Sequence, residues 1–457
     1  MKKYFVFMLI FMYLVTGCNG DDERKDARLS ITSLRAVPNV VIPGDTAIVV
    51  VDYSYTGSDE IDVTWYKSAG EFLSVQDTAI WIAPNSNGTY TISCVVSDPD
   101  IMDSTYVNIT VRDRIYFEAL FTEPRGEEDI LPRAIQFIEE AQHTIDVECY
   151  LFEEPLLADA LINAKNRGIQ VRIVCDNSNF DEDPEDCYQR LSAAGINIVH
   201  DTNDRNNAHN KTMIRDSSTV WTGSSNWTYA GLRLNNNNVL IMDSREVALA
   251  YLEDFQQMFN GNFQSSKTSN GIEQINLDGA NVELRFGPQD NPEDMLLEQV
   301  SKAEHTIDIC IYAFTINYLA DSLKAAHNRG VRVRAIFDSL SIAQYGNSKY
   351  DELRGAGIDA RLDPGNYAFH HKIMIIDQES SQPRLIVSSG NYSMSSIRYN
   401  DENFVAITGG RSITDAYYAE FIKWWGQTDS SKAIDKKDHS RKRKSKYRLG
   451  APESQKD

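Results

Sequence analysis

The sequence predicts an all-β sandwich followed by a duplicated α/β region, and three observations carry that reading. From Ile31 to about Asp113, apolar and polar residues alternate in short runs ("TAIVVVDYSY", "IDVTWYK", "TYTISCVVS", "STYVNITV") separated by turn-rich "PGD" and "PNSNG". That is the pattern of a sandwich built from half-buried strands. After Arg114, strand-like runs alternate with amphipathic helical stretches, as βαβ units do. Within this region His143–Asp176 aligns without a gap to His305–Asp338, with about half of the positions identical, so the α/β part contains an internal repeat.

The elements follow in chain order. Lys2 and Lys3 precede an apolar run, Tyr4–Val15, which is too short to span a bilayer and reads as the core of a leader over 1–17. The "LVTGC" that ends it resembles the lipobox of bacterial lipoproteins, which implies cleavage before Cys18, lipidation of Cys18 and a chain anchored to the cell envelope. The "GDDE" that follows resembles surface-export tags of lipoproteins in two-membrane bacteria. Residues 18–30 are polar and suit a tether. The sandwich, 31–113, resembles immunoglobulin-like or PKD-like modules, and Trp65 and Tyr90 are expected in its core. The first α/β half is placed at 114–262, a linker at 263–278, the second half at 279–429, and a polar basic tail with "RKRKSKYR" at 430–457.

A chain of 457 residues with 42% hydrophobic content can bury several cores, and its net charge is −21. That acidity argues against non-specific coating of nucleic acid, whose affinity comes largely from Lys and Arg on phosphates. Five cysteines follow Cys18: Cys94, Cys149, Cys175, Cys187 and Cys310. No Cys-x-x-Cys pair points to a metal or redox motif. They read as small buried hydrophobes, with Cys175–Cys187 the one plausible local disulfide.

Each half then carries the same chemical motif. "HNKTMIRDSSTVWTGSSNW" begins at His209, and "HHKIMIIDQESSQPRLIVSSGNY" begins at His370. In a strand, residues i and i+2 share a face, so His209 projects with Lys211 and His370 with Lys372, while His371 points away from His370. Asp216 and Asp377 close the runs. The following turns deliver Ser224 and Asn226 in one half and Ser389 and Asn391 in the other. His143 and His305 precede the matching βαβ strands and are expected at helix ends or turns. If the halves pack about a pseudo-twofold axis, both His-Lys-Asn sets meet in one place, which explains why one chain needs two.

His-x-Lys-x4-Asp occurring twice, each time followed by a Ser-x-Asn turn, resembles the phospholipase D superfamily, and the match covers both halves. The resemblance implies a pseudo-twofold pair of α-β-α sandwich halves, each with a mixed sheet flanked by helices. It implies metal-independent phosphodiester cleavage through a phosphohistidine, without a cofactor, and a monomer with both half-sites in one chain. Lys211, Lys372, Ser224, Asn226, Ser389 and Asn391 would cradle the phosphate, and Asp216 and Asp377 would brace the motif. One imidazole must attack phosphorus and the other must protonate the departing alcohol; water, or a second alcohol, then resolves the intermediate. In the family a carboxylate after the motif contacts the histidine of its own half. Here the second half has Glu402 and the first has Asn237, which leads to the expectation that Glu402 holds His370 protonated as general acid and His209 is the nucleophile. The expected substrate is a phospholipid at a membrane. A tethered nuclease is the alternative, favoured by the compact halves and basic tail, and a non-catalytic surface binding protein the lesser one.

Overall fold

The computed structural model describes residues 27–428 apart from 38, 76–77, 112–115, 123–129, 272, 345 and 366. The leader, Cys18, most of the tether and the basic tail lie outside the described residues. The chain divides into two compact units, Met1–Arg114 and Ile115–Asp457.

The first unit is built from β1 (Leu29–Val37), β2 (Val40–Val41), β3 (Thr46–Tyr55), β4 (Asp62–Lys67), β5 (Glu71–Val75), β6 (Thr78–Ile82), β7 (Gly88–Ser97) and β8 (Met102–Val111). They form two four-stranded sheets in the orders β1-β3-β6-β5 and β2-β8-β7-β4. The alternation along β3 and β7 turns Val49, Ile92 and Cys94 inward onto Trp65 and Trp81. Tyr90 packs against this core and keeps its hydroxyl near the surface on Ser86.

The second unit contains two lobes of one design. The first comprises β9 (Phe117–Phe121), α1 (Leu131–Glu139), β10 (Thr144–Cys149), α2 (Pro155–Asn166), β11 (Gln170–Cys175), α3 (Asn177–Glu182), α4 (Cys187–Ala193), β12 (Asn197–His200), β13 (Lys211–Arg215), β14 (Thr219–Gly223), α5 (Tyr229–Arg233), β15 (Asn238–Asp243) and α6 (Arg245–Phe259). The second comprises β16 (Glu273–Leu277), β17 (Ala280–Gly287), α7 (Pro292–Ser301), β18 (Thr306–Ile311), α8 (Asn317–Asn328), β19 (Arg332–Phe337), α9 (Ser339–Gln344), α10 (Tyr350–Gly355), β20 (Asp359–Leu362), β21 (Lys372–Ile376), β22 (Arg384–Ser388), α11 (Met394–Arg398), β23 (Glu402–Thr408) and α12 (Arg411–Trp425). The sheet orders are β12-β11-β10-β13-β14-β15-β9 and β20-β19-β18-β21-β22-β23-β17-β16, so the second repeats the first and adds β16 at its edge. The stretch 263–278, expected to be a linker, is therefore linker only up to β16.

The aligned repeat explains itself locally. α2 opens with the Glu154 carboxylate accepting the Leu156 N–H, with Pro155 at the first turn, an arrangement that satisfies a free helix N–H. Both repeat helices end in an Arg-Gly turn, where Gly168 and Gly330 take φ of +92° and +97° at little steric cost. Arg172 and Arg334 each reach a buried aspartate on the neighbouring parallel strand, Asp146 and Asp308, both at 2.6 Å.

Helices α6 and α12 supply the core shared by the lobes. Tyr251, Phe255, Tyr417, Phe421 and Trp424 pack with Ile214, Leu240, Ile373 and Ile375 in one continuous cluster. Met213 and Met374, on the opposite faces of β13 and β21, belong to the separate core of their own lobe. The five cysteines are buried and free, which corrects the expected Cys175–Cys187 disulfide. Both sulfurs sit in an apolar core with Cys149 and Tyr188, and burial pushes the Cys187 thiol up to about 12.

Candidate active site

The two motif histidines sit on the seam between the lobes because the lobes exchange backbone. The residue before each histidine pairs with the other lobe: Ala208 bridges Asp401, and Phe369 bridges Asn236. The His209 N–H donates to Asp401 O at 3.0 Å, and the His370 N–H donates to Asn236 O at 2.9 Å. Whatever side chain follows Asp401 is thereby delivered to His209, and whatever follows Asn236 is delivered to His370.

This crossing overturns the expectation that Glu402 serves the histidine of its own half. Glu402 Oε1 lies 2.8 Å from Nδ1 of His209, with both side chains almost fully buried. His370 faces Asn237 instead, with its Nδ1 2.9 Å from Asn237 Oδ1 and 3.0 Å from the Ser224 carbonyl. The carbonyl can only accept, so His370 Nδ1 carries a proton. Asn237 is oriented just as firmly. Its amide N–H donates to Gly231 O at 2.9 Å, which leaves Oδ1 to accept from His370 and from the Ser224 hydroxyl.

Lys211 and Lys372 are also buried. Lys372 Nζ is 3.0 Å from His370 Nε2 and 3.1 Å from the His370 carbonyl, and Lys211 Nζ donates to the His209 carbonyl. Beneath each pair lies a tyrosine. The Tyr150 ring is 4.7 Å from that of His209 and 5.1 Å from the Lys211 ammonium, and the Tyr312 ring is 4.8 Å from His370 and 5.4 Å from Lys372, within cation–π range.

Asn391 is fully buried, and among the described residues neither polar atom of its amide has a partner; Asn226 has the same vacancy at Oδ1. A buried amide without partners costs free energy; the Asn391 Nδ2 donor suits a ligand oxygen, whereas the Asn226 Oδ1 acceptor suits a ligand donor. Ser224 and Ser389, expected to bind phosphate, behave differently. Each hydroxyl accepts a backbone N–H and spends its one proton within the protein, Ser224 on Asn237 Oδ1 at 2.9 Å and Ser389 on Glu402 Oε2 at 2.5 Å. They orient the groups that touch the histidines. Gly223, before Ser224, has φ of +144°, and a Cβ there would lie 2.3 Å from Asn238 O, so the close turn requires glycine.

Asp216 and Asp377 stand away from the histidine side chains. Asp216 accepts the N–H groups of Gln142, His143 and Thr144 at 2.7–2.9 Å, and Asp377 those of Glu304, His305 and Thr306 at 2.7–3.0 Å. His143 and His305 thus occupy the turns that open β10 and β18. His371, next to His370, is buried on separate partners, Asn238 Oδ1 at 3.3 Å and Glu420 at 3.5 Å.

Burial alone would raise the Glu402 carboxyl, but the His209 ring, the Lys211 ammonium and the Ser389 hydroxyl together hold it below the ordinary range. It stays an anion beside His209.

Sequence reasoning missed Tyr150, Tyr312, Asp176 and Asp338. The two aspartates accept the backbone N–H of the residues before the motif histidines, Ala208 at 3.1 Å and Phe369 at 2.7 Å. All four are identities of the aligned repeat, which was the signal that could have found them.

Two lobes that pool a histidine and a lysine each around one seam fit a duplicated enzyme of phosphodiester chemistry. Residues 134–259 and 296–425 match the family model described as cardiolipin synthase, PLD-like domain, and the chain belongs to the phospholipase D superfamily. It is similar to the phospholipase D of Rickettsia prowazekii (strain Madrid E), with 34% identity over 167 residues, 36% of this chain and 76% of that protein. It is also similar to the mitochondrial cardiolipin hydrolase of Xenopus tropicalis, with 32% identity over 140 residues, 31% of this chain and 64% of that protein. Among solved structures, phosphatidylserine synthase of Haemophilus influenzae Rd KW20 has a TM-score of 0.52 at 13% identity over 69% of this chain and 87% of that one, a likeness of fold. The chain is a phosphodiesterase of this superfamily.

Proposed function

We propose that the protein is an envelope-anchored phospholipase D that hydrolyses phospholipid headgroup diesters through a phosphohistidine on His209. The observation that carries the reading is the crossed pairing, Glu402 on His209 and Asn237 on His370. Attack by His209 Nε2 on phosphorus leaves positive charge on the ring, and the Glu402 anion at Nδ1 offsets it. His370, whose Nδ1–H is held by the Asn237 and Ser224 oxygens, would act as the general acid, its Nε2 passing a proton to the headgroup oxygen as the P–O bond breaks. Water then attacks phosphorus, His370 takes its proton, and the P–N bond breaks to release phosphatidate. Lys211, Lys372, Asn226 and Asn391 would hold the equatorial oxygens throughout. The role assignment expected from the sequence is thus kept, for the opposite reason.

The lipid reading draws on the names of the similar proteins and on charge. A cavity of about 370 Å³ beside the first motif is lined by Asp176, Asp181, Glu182 and Asp204 against a single arginine, Arg205, which disfavours a polyanion. Cys18 would attach the chain to the envelope membrane.

The test gives the full-length protein mixed phospholipid vesicles and single-stranded DNA side by side, without added metal. Headgroup release that His209→Ala abolishes, together with an acid-trapped phosphoenzyme that His209→Ala also loses, is the expected result. DNA cleavage with intact lipid would replace the reading with a tethered nuclease, and a phosphoenzyme lost only in His370→Ala would reverse the roles.

A further inference from the structure

The segment that joins the two lobes reaches into the seam. Between α6 and β16, Lys267 turns its side chain fully inward. Its ammonium lies 2.8 and 3.1 Å from the two carboxylate oxygens of Asp254 on α6, and 3.0 Å from Asp401 Oδ1. Three residues earlier, the Gln264 N–H donates to the same Asp401 oxygen at 2.9 Å, and its side-chain amide donates to Asp201 at 2.7 Å. Asp401 is the residue immediately before Glu402. Its backbone is held on both sides by the first lobe, donating to Asn207 O at 2.9 Å and accepting from the His209 N–H at 3.0 Å.

The matching position in the other crossing has no such grip. The backbone of Asn236 makes the equivalent bonds, to Ala368 O and from the His370 N–H. Its buried side-chain amide has no partner among the described residues. Among the described residues, the joining segment therefore clamps only the crossing that carries the carboxylate. Burial works against the Lys267 charge, but Asp254 and Asp401 outweigh it and hold the ammonium above its ordinary range. The clamp stays charged through neutral pH.

We propose that Lys267 is a positioning residue for the phosphodiesterase centre: it fixes the Asp401–Glu402 segment, so that Glu402 holds its place on His209 Nδ1 while the ring is phosphorylated and released. The inference rests on the reading of His209 as nucleophile. A buried cation shared by two carboxylates allows little displacement, and catalytic geometry is sensitive to displacements on the order of 1 Å.

Lys267→Met alone would strand two buried carboxylates. The full-length protein is therefore compared with the triple variant Lys267→Met/Asp254→Asn/Asp401→Asn, which removes the charges together at nearly constant volume. The control is Asp308→Asn/Arg334→Met, which removes a buried ion pair of the second lobe that does not touch the clamp. Two quantities are read: kcat and KM on a lipid that the wild type cleaves, and the ring N–H proton resonance of His209 in the protein without substrate. The expected result for the triple variant is kcat about tenfold lower with KM within about twofold and a displaced His209 resonance; the control moves neither. Wild-type kcat with an unmoved resonance, or a loss of kcat that the control shares, would overturn the proposal. Should the triple variant not fold, Asp401→Asn, which leaves Lys267 on Asp254, decides on the same two readouts. A wild type that cleaves no lipid overturns the functional reading, whereas the resonance needs no substrate and still decides the role of Lys267.

Discussion

Asn237 and Glu402 occupy matching places in the two lobes, yet only one of them carries a charge. Their contacts suit them to these places: Asn237 needs an N–H to give to Gly231 O, whereas Glu402 receives the Ser389 hydroxyl. Asn237→Asp would set an anion 3 Å or so from His370 Nδ1 and against the Gly231 carbonyl. An anion stabilises the imidazolium, so the general acid keeps its proton to higher pH, and the basic limb of the kcat/KM profile moves up by about one unit. An unmoved basic limb would show that His370 is not the acid. Glu402→Gln removes the anion at His209, and we expect kcat to fall about a hundredfold with KM little changed, measured on the same lipid. The motif residues themselves were legible in the sequence, because the His-x-Lys spacing and the Ser-x-Asn turns are local. The partner of each histidine was not legible, because it is set by a backbone exchange between residues well over a hundred positions apart, His209 with Asp401 and His370 with Asn236.

At the level of elements, the motif aspartates hold the hairpins that carry the catalytic strands. Asp216 and Asp377 take φ of about +50°, and each gathers three N–H groups from the turn before β10 or β18. Asp216→Ala leaves three donors without their acceptor and a non-glycine residue in a left-handed conformation. We expect a loss of about 3 kcal/mol in unfolding free energy with kcat/KM of the folded fraction near wild type, checked by denaturant titration beside steady-state rates. A normal stability with lost activity would instead place Asp216 in the chemistry. The repeated βαβ units could be read directly, since a helical period and an Arg-Gly turn recur in both copies. Strand β16 escaped notice for the opposite reason: Ile275 and Leu277 are buried while Gln274 and Asn276 are exposed, and so short a run hides a period of two.

Across the whole second unit, carboxyl groups are concentrated in the seam. Burial, reinforced by the Asp176 charge, raises Asp201 to about 7; burial raises Asp401 to about 6 in spite of Lys267; and Glu148 is raised as well, by burial first. A carboxyl with a raised folded pKa binds its proton more tightly in the native state. Its stabilising contribution is complete below the unfolded value of about 4 and is lost as pH rises to the folded value. Asp201→Asn should therefore narrow the fall in Tm between about pH 4.5 and about pH 7.5, as thermal melts would show; an unchanged fall would remove Asp201 as its source. The crossed backbone also bears on descent. Two identical chains meeting about an axis must present the same residue at both crossings. Fusing the copies lifts that constraint, and a mutation at one crossing no longer repeats itself at the other. The amide at one crossing and the carboxylate at the other are a specialisation that a symmetric dimer could not encode.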